Sequence, residues 1–230
     1  MVDTGTTAPS NNLLLRVASA VVMAPLAIAA AYLGGWPFAL FWAAASIAVL
    51  WEWTTLVSGL VWIAAGVGYA GIMFAAPVIL RSDAELGMPA IMLLFTIVWT
   101  TDILGYFAGR AFGGPKLWPA VSPKKTWSGA LAGTLGAIIV TVVSARWLGA
   151  MHSVAVATIA LGLSVVAQLG DLLESAIKRK FSAKDASHLI PGHGGVMDRL
   201  DGFWAAALLG CLIGLARGGL EAPARGLLLW

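Results

Sequence analysis

"LVWIAAGVGYAGIMFAAPVIL", residues 60–80, runs for 21 positions without a charge. At about 1.5 Å of rise per residue, a helix of this length crosses the roughly 30 Å hydrocarbon core of a bilayer. Residues 13–33, 36–56, 88–112, 127–148 and 154–176 form comparable apolar runs, and 203–216 is a shorter one. Hydrophobic residues make up 60% of the 230 positions and charged residues 11%. An ordinary soluble domain is about 25% charged, and the mean hydropathy here is +0.88. These observations define an all-α fold, a polytopic transmembrane helical bundle of about seven spans.

The first run is preceded by a single charge, Asp3, and has no basic n-region. Further spans follow at once, so it reads as a retained helix rather than a signal peptide, with residues 1–12 as a polar, frayed lead-in. With the N-terminus inside, seven spans place ten of the 14 Lys and Arg residues on the inner side. These are Arg16, Arg110, Lys116, Lys124, Lys125, Lys178, Arg179, Lys180, Lys184 and Arg199. Arg81, Arg146, Arg217 and Arg225 fall outside. That bias favours a cytoplasmic N-terminus. Cys211 is the lone cysteine and lies in an apolar run, so its expected role is packing.

Polarity divides the chain into N-terminal transmembrane helices over 1–80 and a transmembrane region over 81–230 that is expected to carry any chemistry, with cytoplasmic loops at 110–126 and 177–199. In the first part Glu52, in "WEWTTL", is expected to snorkel to the interface. The second part carries four polar clusters. In "TTDILGYFAGRAFGG", residues 100–114, Asp102, Tyr106 and Arg110 share a helix face. Asp102 and Arg110 either satisfy each other or Asp102 faces a polar cavity. In "AVSPKKTWSG", residues 120–129, Ser122 and Pro123 mark a turn, and Thr126 or Ser128 caps the next helix. Lys124 and Lys125 then sit beside a helix N-terminus, which favours anions; ordinary positive-inside lysines are the alternative.

In "QLGDLLESAIKRK", residues 168–180, Asp171, Glu174, Ser175 and Lys178 form a polar stripe. Glu174 and Lys178 read as an ordinary structural i,i+4 pair. Asp171 has no basic residue within one turn and needs a cation from elsewhere. In "PGHGGVMDRLDG", residues 191–202, Asp198 and Asp201 share a face if a helix begins near Met197, with Arg199 pointing elsewhere. Gly192, Gly194 and Gly195 permit backbone turns toward an anion, and His193 is a ligand, an acid/base or a hydrogen-bond anchor. Carboxylates and cations on one side of a membrane fit phosphates bound through Mg²⁺. No cysteine–histidine cluster suggests zinc. Phosphate-cradling lysine loops and dinucleotide fingerprints are missing too, and nucleic acid is not an expected partner.

Residues 175–201, "SAIKRKFSAKDASHLIPGHGGVMDRLD", resemble the signature of phosphatidate cytidylyltransferases (CDP-diacylglycerol synthases). That signature reads S-x-x-K-R-x4-K-D, a small residue, then P-x-H-G-G-x-x-D-R-x-D. "LLLRVASAVVMAPL", "WEW" and "SPKKTW" are similar to other parts of the family, so the resemblance covers most of the chain. Two departures are Ser128, where the family usually carries glutamate, and Gly105, where it usually carries alanine. The resemblance implies transfer of a cytidylyl group from CTP to phosphatidate, giving CDP-diacylglycerol and diphosphate. It also implies an integral, multi-pass protein of the inner membrane with its site facing the cytoplasm.

On that resemblance Asp171, Asp198 and Asp201 hold Mg²⁺, with room for a second cation, and act catalytically with Lys178. Substrate binding is expected of Asp102, Ser122, Lys124, Lys125, Ser175, Arg179, Lys184, His193, Gly194, Gly195 and Arg199. CTP, phosphatidate and the lipid bilayer are the implied partners, with a homodimer as an option. Rival readings are a CTP-dependent polyprenol or phytol kinase and a membrane transporter. A CDP-alcohol phosphotransferase fails, because its D-G-x-x-A-R motif does not continue after Asp201 and Gly202.

Overall fold

The computed structural model describes residues 9–147, 152–187, 189–190 and 194–230. The chain runs α1 (Pro9–Leu33), α2 (Gly35–Leu56), α3 (Leu60–Arg81), α4 (Gly87–Phe112), β1 (Lys116–Trp118), β2 (Ser122–Thr126), α5 (Trp127–Trp147), α6 (Ser153–Lys180), α7 (Met197–Gly218) and α8 (Pro223–Leu228). Helices α2 to α7 are each long and apolar enough to cross a bilayer. Helix α1 has 25 residues, a length sufficient for a seventh span. The all-α bundle is therefore the observed architecture.

Three boundaries differ from the sequence reading. Helix α1 begins at Pro9, inside the expected polar lead-in. Helices α6 and α7 extend past their apolar runs, to Lys180 and back to Met197. Apolar periodicity stops at the first charged residues, but the backbone stays helical because those side chains face one another inside the protein. The 110–126 loop also contains an antiparallel hairpin, with Lys116 opposite Thr126 and Trp118 opposite Ser122. The turn lies at 119–121, so Ser122 and Pro123 open a strand instead of marking the turn. Proline is tolerated there because a two-stranded sheet consists of edges.

Close packing in the bundle relies on glycine. A Cβ on Gly129 would lie 2.6 Å from the Gly105 carbonyl oxygen, and one on Gly133 would lie 2.5 Å from that of Thr101. Helices α4 and α5 therefore touch backbone to backbone, as small residues permit in membranes. Helix α7 is central and touches α2, α3, α4, α6 and α8. Its Phe203 stacks on Trp42 at 4.9 Å between centroids, and Trp204 stacks on Tyr69 at 4.4 Å. Cys211 is buried in this core, as expected of a packing residue. Outside, large apolar side chains such as Ile47, Val61, Leu131 and Val154 are exposed, which suits lipid tails as solvent.

The two ends of the bundle differ. At one, the C-termini of α2, α4 and α6 meet the start of α7 and the hairpin; Phe181 packs edge-on against Trp62 at 5.3 Å. At the other, Arg81 donates to the Ala31 carbonyl at 2.7 Å. There Asp83 accepts amides from Glu85, Leu86 and Arg225. Partial burial alone would raise the Asp83 carboxyl, but these amides outweigh it and hold the group below its ordinary range.

Candidate active site

A cavity of about 730 Å³ opens at the polar end. Helix α4 supplies Thr101, Asp102, Tyr106 and Arg110, the hairpin Lys116, Lys124 and Lys125, and α6 Gln168 and Asp171. Helix α7 supplies Asp198, Arg199 and Asp201. With Gly129 and Ala130 of α5, six helical or strand elements converge, and the i, i+4 spacing of α4 does bring Asp102, Tyr106 and Arg110 to one wall. Arg110 donates to the Tyr106 hydroxyl at 3.1 Å, so it is not the partner of Asp102. The inner wall continues into a buried polar chain. Gln168 donates to Thr134 at 2.8 Å, Ser164 donates to Thr134 at 3.2 Å, and Ser164 and Thr101 share a hydrogen bond at 2.8 Å.

The hairpin is tied down locally. Thr126 caps α5 by accepting the Gly129 amide at 3.2 Å. Ser128, the departure from the family pattern, donates to the Gly113 carbonyl at the end of α4 and shares a 3.0 Å bond with Thr126. Arg179 donates to Val121 in the turn at 3.3 Å and to the Ala183 carbonyl at 3.1 Å. The result is an ion pair between Lys125 and Asp171. The cation that Asp171 lacks along its own helix arrives from the hairpin.

Asp198 has a full set of partners. Its Oδ1 meets the Lys178 ammonium, and its Oδ2 accepts the amides of Ala186 at 3.0 Å and Gly195 at 2.8 Å. Lys178 also lies 3.1 Å from Glu174 Oε1, which makes a second ion pair. The Glu174–Lys178 pair does occur, yet as a buried pair beside Asp201 rather than an ordinary surface one. The carboxylates of Asp102, Asp171 and Asp201 bear on one another, with Lys125 as a nearby cation. Arg199, expected to point elsewhere, lines the same cavity.

Of the expected residues, Asp102, Lys124, Lys125, Asp171, Asp198, Arg199 and Asp201 come together on the cavity wall. Ser175 stands behind Asp171 at 3.4 Å. Lys178, Arg179, Gly194 and Gly195 support that wall from outside. Ser122 and the exposed Lys184 are not part of it, and His193 lies outside the described residues. Sequence reasoning missed Thr101, Gln168 and Lys116 as lining groups. It also misplaced Glu52, which is fully buried instead of at the interface. Its only signal was a carboxylate between two tryptophans in an apolar run.

No three His, Cys, Asp or Glu side chains among the described residues form a cage for a metal ion by themselves. Mg²⁺ commonly takes one or two carboxylates and completes its shell with phosphate oxygens and water. The crowded pair Asp171 and Asp201, with Asp102 beside them, fits that shared mode.

The family model described as "Cytidylyltransferase family" matches residues 58–214. This chain belongs to the cytidylyltransferase family. It is 38% identical to the phosphatidate cytidylyltransferase of Brucella abortus biovar 1 (strain 9-941), over 89% of this chain and 94% of that protein. It is 35% identical to the one of Rickettsia bellii (strain RML369-C), over 83% and 86%. With that of Staphylococcus haemolyticus (strain JCSC1435) it shares 40%, over 60% and 52%. Within this family the chain is a multi-pass membrane protein with its polar cavity at one end of the bundle.

Proposed function

We propose that this cytidylyltransferase joins CTP and phosphatidate to give CDP-diacylglycerol and diphosphate. The observation that carries the reading is the cavity's charge pattern. Arg110, Lys116 and Lys124 have no carboxylate partner among the described residues, while Asp102, Asp171 and Asp201 crowd the same space. Unpaired cations suit the phosphates of two anionic substrates, and crowded carboxylates suit a divalent ion shared with them.

A phosphatidate oxygen, ionised at neutral pH, attacks the α-phosphorus of CTP. A new P–O bond forms, the bond to the bridging oxygen breaks, and diphosphate leaves with the electron pair. The nucleophile needs no strong base, so the chain's work is positioning and charge stabilisation. Lys116, Lys124 and Arg110, the last oriented by Tyr106, hold phosphate charge. Lys125 fixes the hairpin to Asp171, and Arg199 faces the same space from α7. Asp171 and Asp201 would hold Mg²⁺, which when bound offsets the charge of the triphosphate and of the leaving diphosphate. Asp198 joins them only by giving up Lys178. The space leaves room for a second cation.

Purified full-length protein in detergent, given labelled CTP, should form labelled CDP-lipid and diphosphate only when phosphatidate is added. Formation of CDP and a phosphorylated alcohol would establish a lipid kinase instead, and no turnover of CTP would overturn the reading. The excess of Lys and Arg at this end supports a cavity that faces the cytoplasm, in the inner membrane. Lys184→Cys in a Cys211→Ala background should then resist impermeant thiol reagents in intact cells; labelling from outside would reverse the orientation.

A further inference from the structure

We propose that Glu52 of α2 is a positioning residue of the active site. Its carboxylate is fully buried and far from the cavity residues in sequence. Oε1 accepts the Ser187 hydroxyl at 2.6 Å and the Val196 amide at 2.8 Å, and Oε2 accepts the Met197 amide at 2.7 Å. The first amides of a helix have no partner within it, and a carboxylate there also meets the positive end of the helix dipole. Helix α7 has no side-chain cap from its own N-cap residue, Val196. Glu52 takes that role from another helix.

A second observation points the same way. A Cβ on Gly195 would lie 2.8 Å from both Glu52 oxygens. The glycine is needed there because the carboxylate occupies the space a side chain would fill. Asp198 grips the neighbouring amides, those of Ala186 and Gly195. The two carboxylates therefore clamp Ala186 and Ser187 to Gly195, Val196 and Met197. That clamp fixes the first turn of α7, and with it Asp198, Arg199 and Asp201 on the cavity wall. The family match begins at residue 58, so Glu52 lies ahead of the matched region. Helix α2 is part of the machinery and not only a membrane anchor.

The inference rests on the proposed activity, so wild-type protein is first shown to form CDP-lipid; failure at that step overturns the activity, not the clamp. Glu52→Gln keeps the shape but turns an NH₂ group toward an amide donor. It should lower kcat/KM for CTP at least about tenfold, a barrier change of roughly 1.4 kcal/mol, and leave KM for phosphatidate unchanged. Hydrogen exchange should speed up in peptides covering residues 194–200 and stay slow in α3 and α4. Gly195→Ala should lose a smaller factor in a Glu52→Ala background than in wild type, because the clash partner is gone. Kinetic constants within twofold of wild type would overturn the proposal. So would a loss accompanied by faster exchange throughout the bundle, or equal losses from Gly195→Ala in both backgrounds.

Discussion

Two groups of carboxylates at the same end of the bundle are treated oppositely. Glu52 and Asp198 have their oxygens engaged by amides, a hydroxyl or an ammonium. Asp102, Asp171 and Asp201, on α4, α6 and α7, face one another around the cavity, with Lys125 paired to Asp171 as the nearby cation. Buried charge is tolerated when it is hydrogen-bonded and costly when it is not. The first group therefore holds the structure together. The second group repels itself, is partly offset by Lys125, and gains further when positive charge arrives with the substrates.

Removing a carboxylate should distinguish the groups most sharply. Asp171→Asn and Asp201→Asn should each lower kcat by about a hundredfold or more, roughly 2.7 kcal/mol in the barrier. Thermal midpoints in detergent should change little, because each variant removes a repelling charge along with a partner. Asp198→Asn should lower the midpoint as well as the activity, since it weakens the contact with Lys178. If Asp201→Asn destabilised the protein as much as Asp198→Asn, the division would fail.

The hairpin lysines should produce a smaller effect. Lys124→Ala and Lys125→Ala each remove one charge-assisted contact worth about 1.5–3 kcal/mol, roughly ten- to over a hundredfold in activity. The Lys125–Asp171 pair is 27% and 31% exposed, and half-exposed pairs add little stability. Steady-state kinetics should therefore move while the midpoint does not. A midpoint shift without a kinetic one would make this pair part of the structural group.

Glycines at the α4–α5 contact test whether the crowded group depends on helix spacing. Gly133→Ala forces a Cβ to within 2.5 Å of the Thr101 carbonyl and should destabilise by about 1–3 kcal/mol. Gly105→Ala meets its nearest backbone atom at 3.4 Å and should change the midpoint little. Calorimetry of both variants checks the contrast.

The smallest effect belongs to the opposite end. Asp83→Ala should cost about 1 kcal/mol, as for other lost caps, with activity intact. Because the folded Asp83 carboxyl titrates below its ordinary range, its contribution is present above the unfolded value. It is lost as pH falls through the lower folded one. Melting curves of wild type and Asp83→Ala should converge in acid.

Run length and charge placement were enough to define the bundle and the polar clusters that line its cavity. A helix in lipid must be apolar where it meets the tails, so the spans could be read from residues 60–80 outward, and charged groups had to face the bundle interior to be tolerated. Asp102, Lys124, Lys125, Asp171, Asp198, Arg199 and Asp201 were therefore legible as members of polar clusters, and their joint role was what the family resemblance implied. Which of them are engaged was not legible. Lys125 reaches Asp171 from a hairpin that the apolar pattern did not reveal. Lys178 bridges to Asp198 across 20 residues, and Glu52 meets Val196 across 144. Periodicity reports neighbours within one helix, whereas a carboxylate's partners here come from other elements. Only the tertiary structure could separate the carboxylates that hold the loop from those that face the cavity.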